Sequence, residues 1–236
     1  MANLAYLLSK YYPQKKEMLP VWEAMIQRVC PEIGAKRNLP ELNHGSFASI
    51  YWLPNRTRIL KLTGDDTDAK ASMVMKKKPD RSIVKTYDVF KFPKKRLWGI
   101  VNEKLTELDP TTKENFLLLE NAMTLLDLSR VIEGTKEVQE FRQRLLHPTT
   151  KREIAVVQQL QEQQDIGVIE KYLDIYGNWG KVLEARQIAW YDFKVANLMM
   201  RGHEVVISDI GVSDAPAQTI PELQVDWTFS PQSSQK

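Results

Sequence analysis

Two short apolar runs, Leu198-Met199-Met200 and Val205-Val206-Ile207, are joined by Arg201-Gly202-His203-Glu204. This block constrains the chain more than any other, because two short apolar runs joined by a glycine-containing link read as the strands of a β-hairpin. A hairpin returns its two flanks to one end, and here the flanks are Asn197 and Asp209-Ile210-Gly211. Just ahead lies Asp192-Phe193-Lys194-Val195-Ala196-Asn197. Asp192 can accept a hydroxyl proton, Lys194 can neutralise a moving phosphoryl group, and Asn197 with Asp209 supplies hard oxygen ligands of the kind magnesium takes. The plain alternative is a buried hairpin with solvated polar flanks. Four such groups at this spacing favour a site of phosphoryl transfer from a nucleotide.

The order and spacing of these residues resemble the catalytic loop and Asp-Phe-Gly element of protein kinases. A second block is similar to the phosphate-covering hairpin of that family: Leu42-Asn43-His44-Gly45-Ser46-Phe47-Ala48-Ser49-Ile50-Tyr51. Asn43 and Ala48 stand at the positions of the first and third glycines, and Gly45 keeps the second. After a turn at Pro54-Asn55-Arg56, the run Arg58-Ile59-Leu60-Lys61-Leu62 reads as a strand. The resemblance places Lys61 as the strand lysine that contacts the α- and β-phosphates. Its usual glutamate partner is missing from the helical stretch Asp66 to Lys78, where Asp66 and Asp68 are the shorter substitutes.

Ser82 to Phe90 and Leu97 to Glu103 read as two further strands, separated by Pro93 and a basic turn. They complete a small five-stranded sheet, and the resemblance makes Val101 to Leu105 the hinge whose backbone faces adenine. The nucleotide-binding set it implies is Gly45, Ser46, Ala48, Lys61, Glu103 and Leu105. From Asp109 the pattern turns helical. Asp109-Pro110 caps a helix, Thr111 with Glu114 forms a capping box, and Phe116, Leu119, Met123 and Leu126 recur along one apolar face. A second helix starts at Thr150, with Glu153 three residues on and Ile154, Val157 and Leu160 behind it. Gly167 is expected to break or kink it, and Gly177-Asn178 to end the helical region.

The expected fold is therefore α+β, a two-lobed protein-kinase-like arrangement with a five-stranded β-rich N-lobe and a reduced, mainly helical C-lobe. The expected division is an N-terminal helical extension over 1–38, an N-lobe over 39–105, and a C-lobe over 106–236 with a loose tail from about 216. With 43% hydrophobic residues in 236, the chain can bury a full core. A lone Cys30 excludes an intramolecular disulfide and fits a reducing cytoplasm. No apolar run is long enough for a membrane span, and no secretory signal opens the chain. Net charge is +3, yet residues 70–96 hold ten Lys or Arg against two acids. Such a stretch suits an acidic or nucleic-acid-associated partner, or else a solvated surface.

Two departures from ordinary protein kinases matter. Trp190 and Ile210 replace the usual His before the catalytic loop and the Phe of Asp-Phe-Gly, and only 25 residues follow Gly211. The long activation segment and peptide-docking subdomain are thus expected to be missing. The truncated pattern resembles the early serine/threonine protein kinases of lytic podophages, from about Leu39 to Ser213. That resemblance implies an ATP- and Mg-dependent bacteriophage kinase acting on hydroxyls of bacterial host proteins in the host cytoplasm. It implies Asp192 and Lys194 as catalytic residues and Asn197 and Asp209 as metal ligands. Two other readings stand beside it: a kinase-like module that binds and inhibits a host protein, and a small-molecule phosphotransferase of the aminoglycoside or choline type. Lys194 speaks against the last, which usually lacks that lysine.

Overall fold

The computed structural model describes residues 41–44, 48–52, 57–92, 96–126, 128, 134–163 and 165–222, with the backbone alone at 41–44, 49, 51 and 52. The extension over 1–38, Cys30, Gly45, Ser46, the turn at 54–56 and the chain beyond Glu222 lie outside the described residues. The chain divides into two compact units. Of the described residues, the smaller comprises those within 41–69, 86–104 and 219–222, and the larger those within 70–85 and 105–218.

The smaller unit is an antiparallel five-stranded sheet, as expected. Its strands are β1 (Glu41–His44), β2 (Ala48–Trp52), β3 (Arg58–Thr63), β4 (Thr86–Lys91) and β5 (Trp98–Glu103), in the order β1-β2-β3-β5-β4. Leu60, Leu62, Val89, Phe90, Ile100 and Val101 are buried along the three strands β3, β4 and β5. In the β4–β5 register Phe90 faces Gly99. The ring lies directly over the glycine, where a Cβ would come within 2.2 Å of it, so this strand position must lack a side chain. Of the segment expected to be loose from Pro216, residues to Glu222 are described. There the Lys91 N–H donates to the Pro221 carbonyl at 2.9 Å, and Glu222 bridges to Lys91.

Helix α1 (Asp66–Lys77) follows β3. Asp65 starts it by accepting from the Thr67 N–H and hydroxyl at 2.9 and 2.7 Å, and acids in the first turn with lysines in the last complement its dipole. The sequence reading of Ser82 to Phe90 as one strand needs correction. β4 begins only at Thr86, while Ser82–Val84 pair in the larger unit: Val84 N–H donates to the Ile207 carbonyl at 2.8 Å and Ile207 N–H to the Ser82 carbonyl at 3.0 Å. Arg186 and Arg201 hold this segment from the side, donating to the carbonyls of Lys78, Pro79, Arg81 and Ile83.

The larger unit is mainly helical. It holds α2 (Pro110–Leu125), α3 (Lys136–Leu146), α4 (Lys151–Glu162) and α5 (Ile166–Glu184). Short strands follow: β6 (Ala189–Trp190), β7 (Leu198–Arg201), β8 (Glu204–Ile207) and β9 (Ser213–Asp214). For α2 the cap is Asp109, whose carboxylate accepts from the Thr112 N–H at 2.9 Å, rather than a Thr111–Glu114 box; Pro110 at the first position needs no acceptor. Phe116, Leu119, Met123 and Leu126 are all buried. The Thr150–Glu153 capping box is formed as expected, and Val157 and Leu160 are buried behind it, although Ile154 faces solvent.

The helical region does not end at Gly177-Asn178. α5 runs through both residues to Glu184 and closes in a left-handed turn at Gln187 (φ 56°). There the Gln187 N–H donates to the Glu184 carbonyl and the Ile188 N–H to the Leu183 carbonyl, at 2.9 and 3.0 Å, the paired bonds of a Schellman cap. The glycines of α5 serve packing instead. Gly177 lies against the methyls of Val138, and a Cβ on Gly180 would meet the Gly134 carbonyl oxygen at 2.0 Å. Nor does Gly167 break a helix, since it sits in the first turn of α5, after α4 has ended at Gln163. The sequence reading assigned no element between Leu126 and Thr150, where α3 buries Val138, Phe141 and Leu145 at helical spacing.

Candidate active site

In the larger unit, an aromatic anchor sets the loop that carries Asp192 and Lys194. Phe193 is fully buried, packing edge-on against Tyr176 and Trp190 with ring centroids 4.8 and 6.0 Å apart, and tilted against Trp179 at 6.4 Å. The backbone at Lys194 is extended (φ −156°, ψ 152°), so successive side chains alternate. Phe193 therefore points into the core while Asp192 and Lys194 stay partly exposed. Trp190, at the usual histidine position, is buried, and its indole N–H has no partner among the described residues.

The polar groups then converge on Asp192. Lys194 Nζ lies 2.7 Å from Asp192 Oδ2, and Asn197 Nδ2 donates to the same oxygen at 3.1 Å and to the Asp192 carbonyl at 2.9 Å. The short 3-10 turn Val195–Asn197 makes this reach possible by folding the asparagine back over the aspartate. From Asn197 the chain enters β7, which pairs with β8 in the register Leu198↔Ile207 to Arg201↔Glu204. Gly202 takes φ +60° in the two-residue turn, a conformation glycine adopts without steric cost.

The hairpin's open end brings Asn197 beside Ser208, whose N–H and hydroxyl both donate to the Asn197 carbonyl at 2.8 Å. Asp209 follows directly, with Oδ1 accepting from the Gly211 N–H at 2.9 Å. Asp192, Lys194, Asn197 and Asp209 thus belong to one loop and hairpin. The donor set fits magnesium. Because Asn197 Nδ2 is committed to Asp192, its amide oxygen is turned away from that bond and, with the Asp209 carboxylate, offers hard oxygen ligands.

The hairpin is braced on both sides. Thr106 exchanges backbone hydrogen bonds with Met200 of β7, at 3.0 and 2.8 Å, and Ile83 bridges to Ile207 of β8. Beyond Gly211, β9 pairs with β6 in the register Trp190↔Ser213 and Ala189↔Asp214, and the Tyr191 hydroxyl donates to Asp214 at 2.8 Å. Val212 takes a left-handed φ of 53°, which directs its carbonyl to the Tyr191 N–H at 3.0 Å.

In the smaller unit, Lys61 lies in the middle of the sheet, opposite Ile50 on one side and Ile100 on the other. Its ammonium is buried and paired with Asp68 of α1 at 2.7 Å, with side-chain exposures of 7% and 4%. Of the two aspartates the sequence offered, Asp68 is the partner. The attraction within so close a buried pair offsets part of the desolvation cost of both ions, and either ion alone would bear that cost unrelieved. Ala48 sits at the start of β2, opposite Thr63. Glu103 ends β5 opposite Arg58, while Leu105 is buried in the core of the larger unit.

One residue outside the sequence-derived set also touches the loop. Glu120, on α2, accepts from the Val195 N–H through Oε2 at 3.0 Å. A half-buried glutamate between a buried leucine and an exposed asparagine on a helix carries no local signal of such a role. Among the described residues, no helix is long and apolar enough to cross a membrane.

No family model and no curated protein sequence matches the chain. Among solved structures it is similar to aminoglycoside phosphotransferases. One is a thermostable mutant of APH(4)-Ia in ternary complex with AMP-PNP and hygromycin B, at 14% identity over 80% of this chain and 72% of that one, with a TM-score of 0.39. The apo form of a thermostable APH(4)-Ia mutant gives 15% identity over 78% and 70%, with a TM-score of 0.36. The streptomycin–ATP–APH(2")-IIa ternary complex gives 14% over 81% and 71%, with a TM-score of 0.32.

Proposed function

We propose that this chain is an ATP- and Mg-dependent phosphotransferase that moves the γ-phosphoryl group to hydroxyls of proteins, in the manner of a serine/threonine kinase. The observation that carries the reading is the convergence of Lys194 Nζ and Asn197 Nδ2 on the Asp192 carboxylate, beside a hairpin, Leu198–Ile207, flanked by Asn197 and, just beyond Ser208, by Asp209. In this reading Asp192 takes the proton of the acceptor hydroxyl as its oxygen bonds to the γ-phosphorus and the bond to the bridging oxygen of ADP breaks. Lys194 balances the charge of the group in transit. Asn197 and Asp209 would hold magnesium, which neutralises the phosphate oxygens when bound. Lys61, paired with Asp68, is assigned to the α- and β-phosphates, and Gly45, Ser46, Ala48, Glu103 and Leu105 are assigned to the nucleotide on the sequence resemblance.

The sequence resemblance supplies the acceptor class, bacterial host proteins in the cytoplasm. A small-molecule acceptor is the second reading. It is favoured by the path after Gly211, which runs through β9 to Pro221 and Glu222 with no helix in between. Incubating the pure protein with γ-labelled ATP and a bacterial lysate separates the readings. Label on protein bands is the expected outcome, label on small molecules alone selects the second reading, and no transfer at all removes both.

A further inference from the structure

We propose that Glu120 is a positioning residue that presets the loop carrying Asp192, acting through the backbone N–H of Val195. The inference rests on the phosphotransfer reading for its kinetic part only. The 3-10 turn Val195–Asn197 has no side-chain cap, and the Val195 N–H lies at its first position, where the turn itself offers no acceptor. Val195 is buried, so water does not readily supply one. The acceptor instead comes from a helix 75 positions earlier in the chain: Glu120 Oε2, at 3.0 Å.

The placement matters because of what flanks Val195. On one side Lys194 contacts Asp192, and on the other Asn197 folds back onto the same carboxylate. Both contacts depend on the peptide between them keeping its orientation. Phe193 fixes the inner side of this loop by packing, the Asn197 and Leu198 N–H groups close the turn by donating to the Lys194 and Val195 carbonyls, and Glu120 holds the N–H that the turn leaves over. A side-chain oxygen that reaches this N–H at ordinary hydrogen-bond distance is suited to that task. It also ties the loop to α2, whose buried face is anchored by Phe116 against Tyr172 and Trp179.

The reach of the side chain, more than its charge, is what this role requires. Glu120→Gln keeps an oxygen at the same distance, Glu120→Asp keeps the charge but withdraws it by one methylene, and Glu120→Ala removes both. The first measurement needs no activity: amide hydrogen exchange in the peptide over residues 192–198, with a peptide from α5 as the internal reference. Faster exchange is expected at 192–198 in the Ala and Asp variants, with Gln close to wild type and the α5 peptide unchanged in all. The second is kinetic. The Ala and Asp variants should lose about tenfold or more in kcat, with KM for ATP within about threefold, and Gln should recover most of the rate.

The proposal is overturned if Asp rescues and Gln does not, since charge would then be the active property. It is equally overturned if exchange at 192–198 is unchanged in the Ala variant, or if exchange rises together in the α5 peptide, which marks a general loss of structure. Should the wild-type protein transfer no phosphate, the exchange result still decides the role of Glu120, and only the phosphotransfer reading falls.

Discussion

Asp192 illustrates how the loop separates chemistry from binding. Its carboxylate is met by Lys194 and Asn197, while the residues assigned to the nucleotide phosphates are elsewhere in the chain. Asp192→Ala should therefore lower turnover by about 10²-fold to 10⁴-fold while leaving ATP affinity within about threefold, measured by single-turnover rates beside equilibrium nucleotide binding. Equal loss in both counts against the assignment. The Lys61–Asp68 pair makes a different statement, about stability. Asp68→Ala removes the buried carboxylate from the Lys61 ammonium and should cost about 3–5 kcal/mol in urea unfolding, whereas Lys61→Met with Asp68→Leu should recover most of that loss without restoring transfer. The strand position of Lys61 and the loop position of Asp192 were legible in the sequence because each lies in a short motif with fixed spacing. The choice between Asp66 and Asp68 was not. Two residues on a helix differ by about 200° around its axis, so the answer depends on where Asp65 starts the helix. Glu120 was invisible for a related reason, since its partner is set by packing across 75 positions.

At the scale of elements, glycine was the least legible signal. Gly177-Asn178 read as a helix end, yet α5 passes through it, and the missing side chains of Gly177 and Gly180 admit Val138 and the Gly134 carbonyl. The same substitution should therefore have opposite signs at two glycines of one helix. Gly180→Ala places a methyl 2.0 Å from a backbone oxygen and should destabilise by more than about 2 kcal/mol, although alanine is the better helix former. Gly167→Ala meets no atom within 4 Å and should stabilise by about 0.5 kcal/mol. Paired thermal melts decide it, and equal signs would sink the packing account. The α4 cap, by contrast, was read correctly from four residues, because a capping box is wholly local. Backbone N–H donation from Thr150, then from Thr149, lowers the Glu153 carboxyl from its usual 4.5 to about 2. A depressed carboxylate stabilises the fold fully above its unfolded value, and that contribution is lost as pH falls from about 4.5 towards about 2. Glu153→Gln should accordingly flatten the acid limb of the stability curve in that window and leave the neutral region parallel to wild type.

At the scale of the whole molecule, β3, β5 and most of the helices were legible from local pattern, while the first two strands of the five-stranded sheet were read from the resemblance of their block to the phosphate-covering hairpin of protein kinases. Which segments join the β7–β8 hairpin was not legible. Ser82–Val84 continues an apolar run into β4, and only the fold shows that those residues hydrogen-bond to β8, as Thr106 does to β7. The hairpin that carries the metal-ligand candidates is thus held between two segments remote in sequence, and binding there should be felt in global unfolding. A ligand that binds only the native state stabilises by RT ln(1 + [L]/Kd), about 2.7 kcal/mol at a hundredfold excess over Kd. For a chain of this size that raises the melting midpoint by roughly 5–10 °C. Wild-type protein should show this shift with Mg-ATP and much less with ATP in excess chelator. A carboxylate gives magnesium a full charge and an amide only a dipole, so Asp209→Asn should abolish the Mg-dependent part of the shift and Asn197→Ala should only reduce it. If the two variants rank the other way in a magnesium titration followed by thermal melts, the metal is held chiefly at Asn197 and the roles assigned to this pair are exchanged.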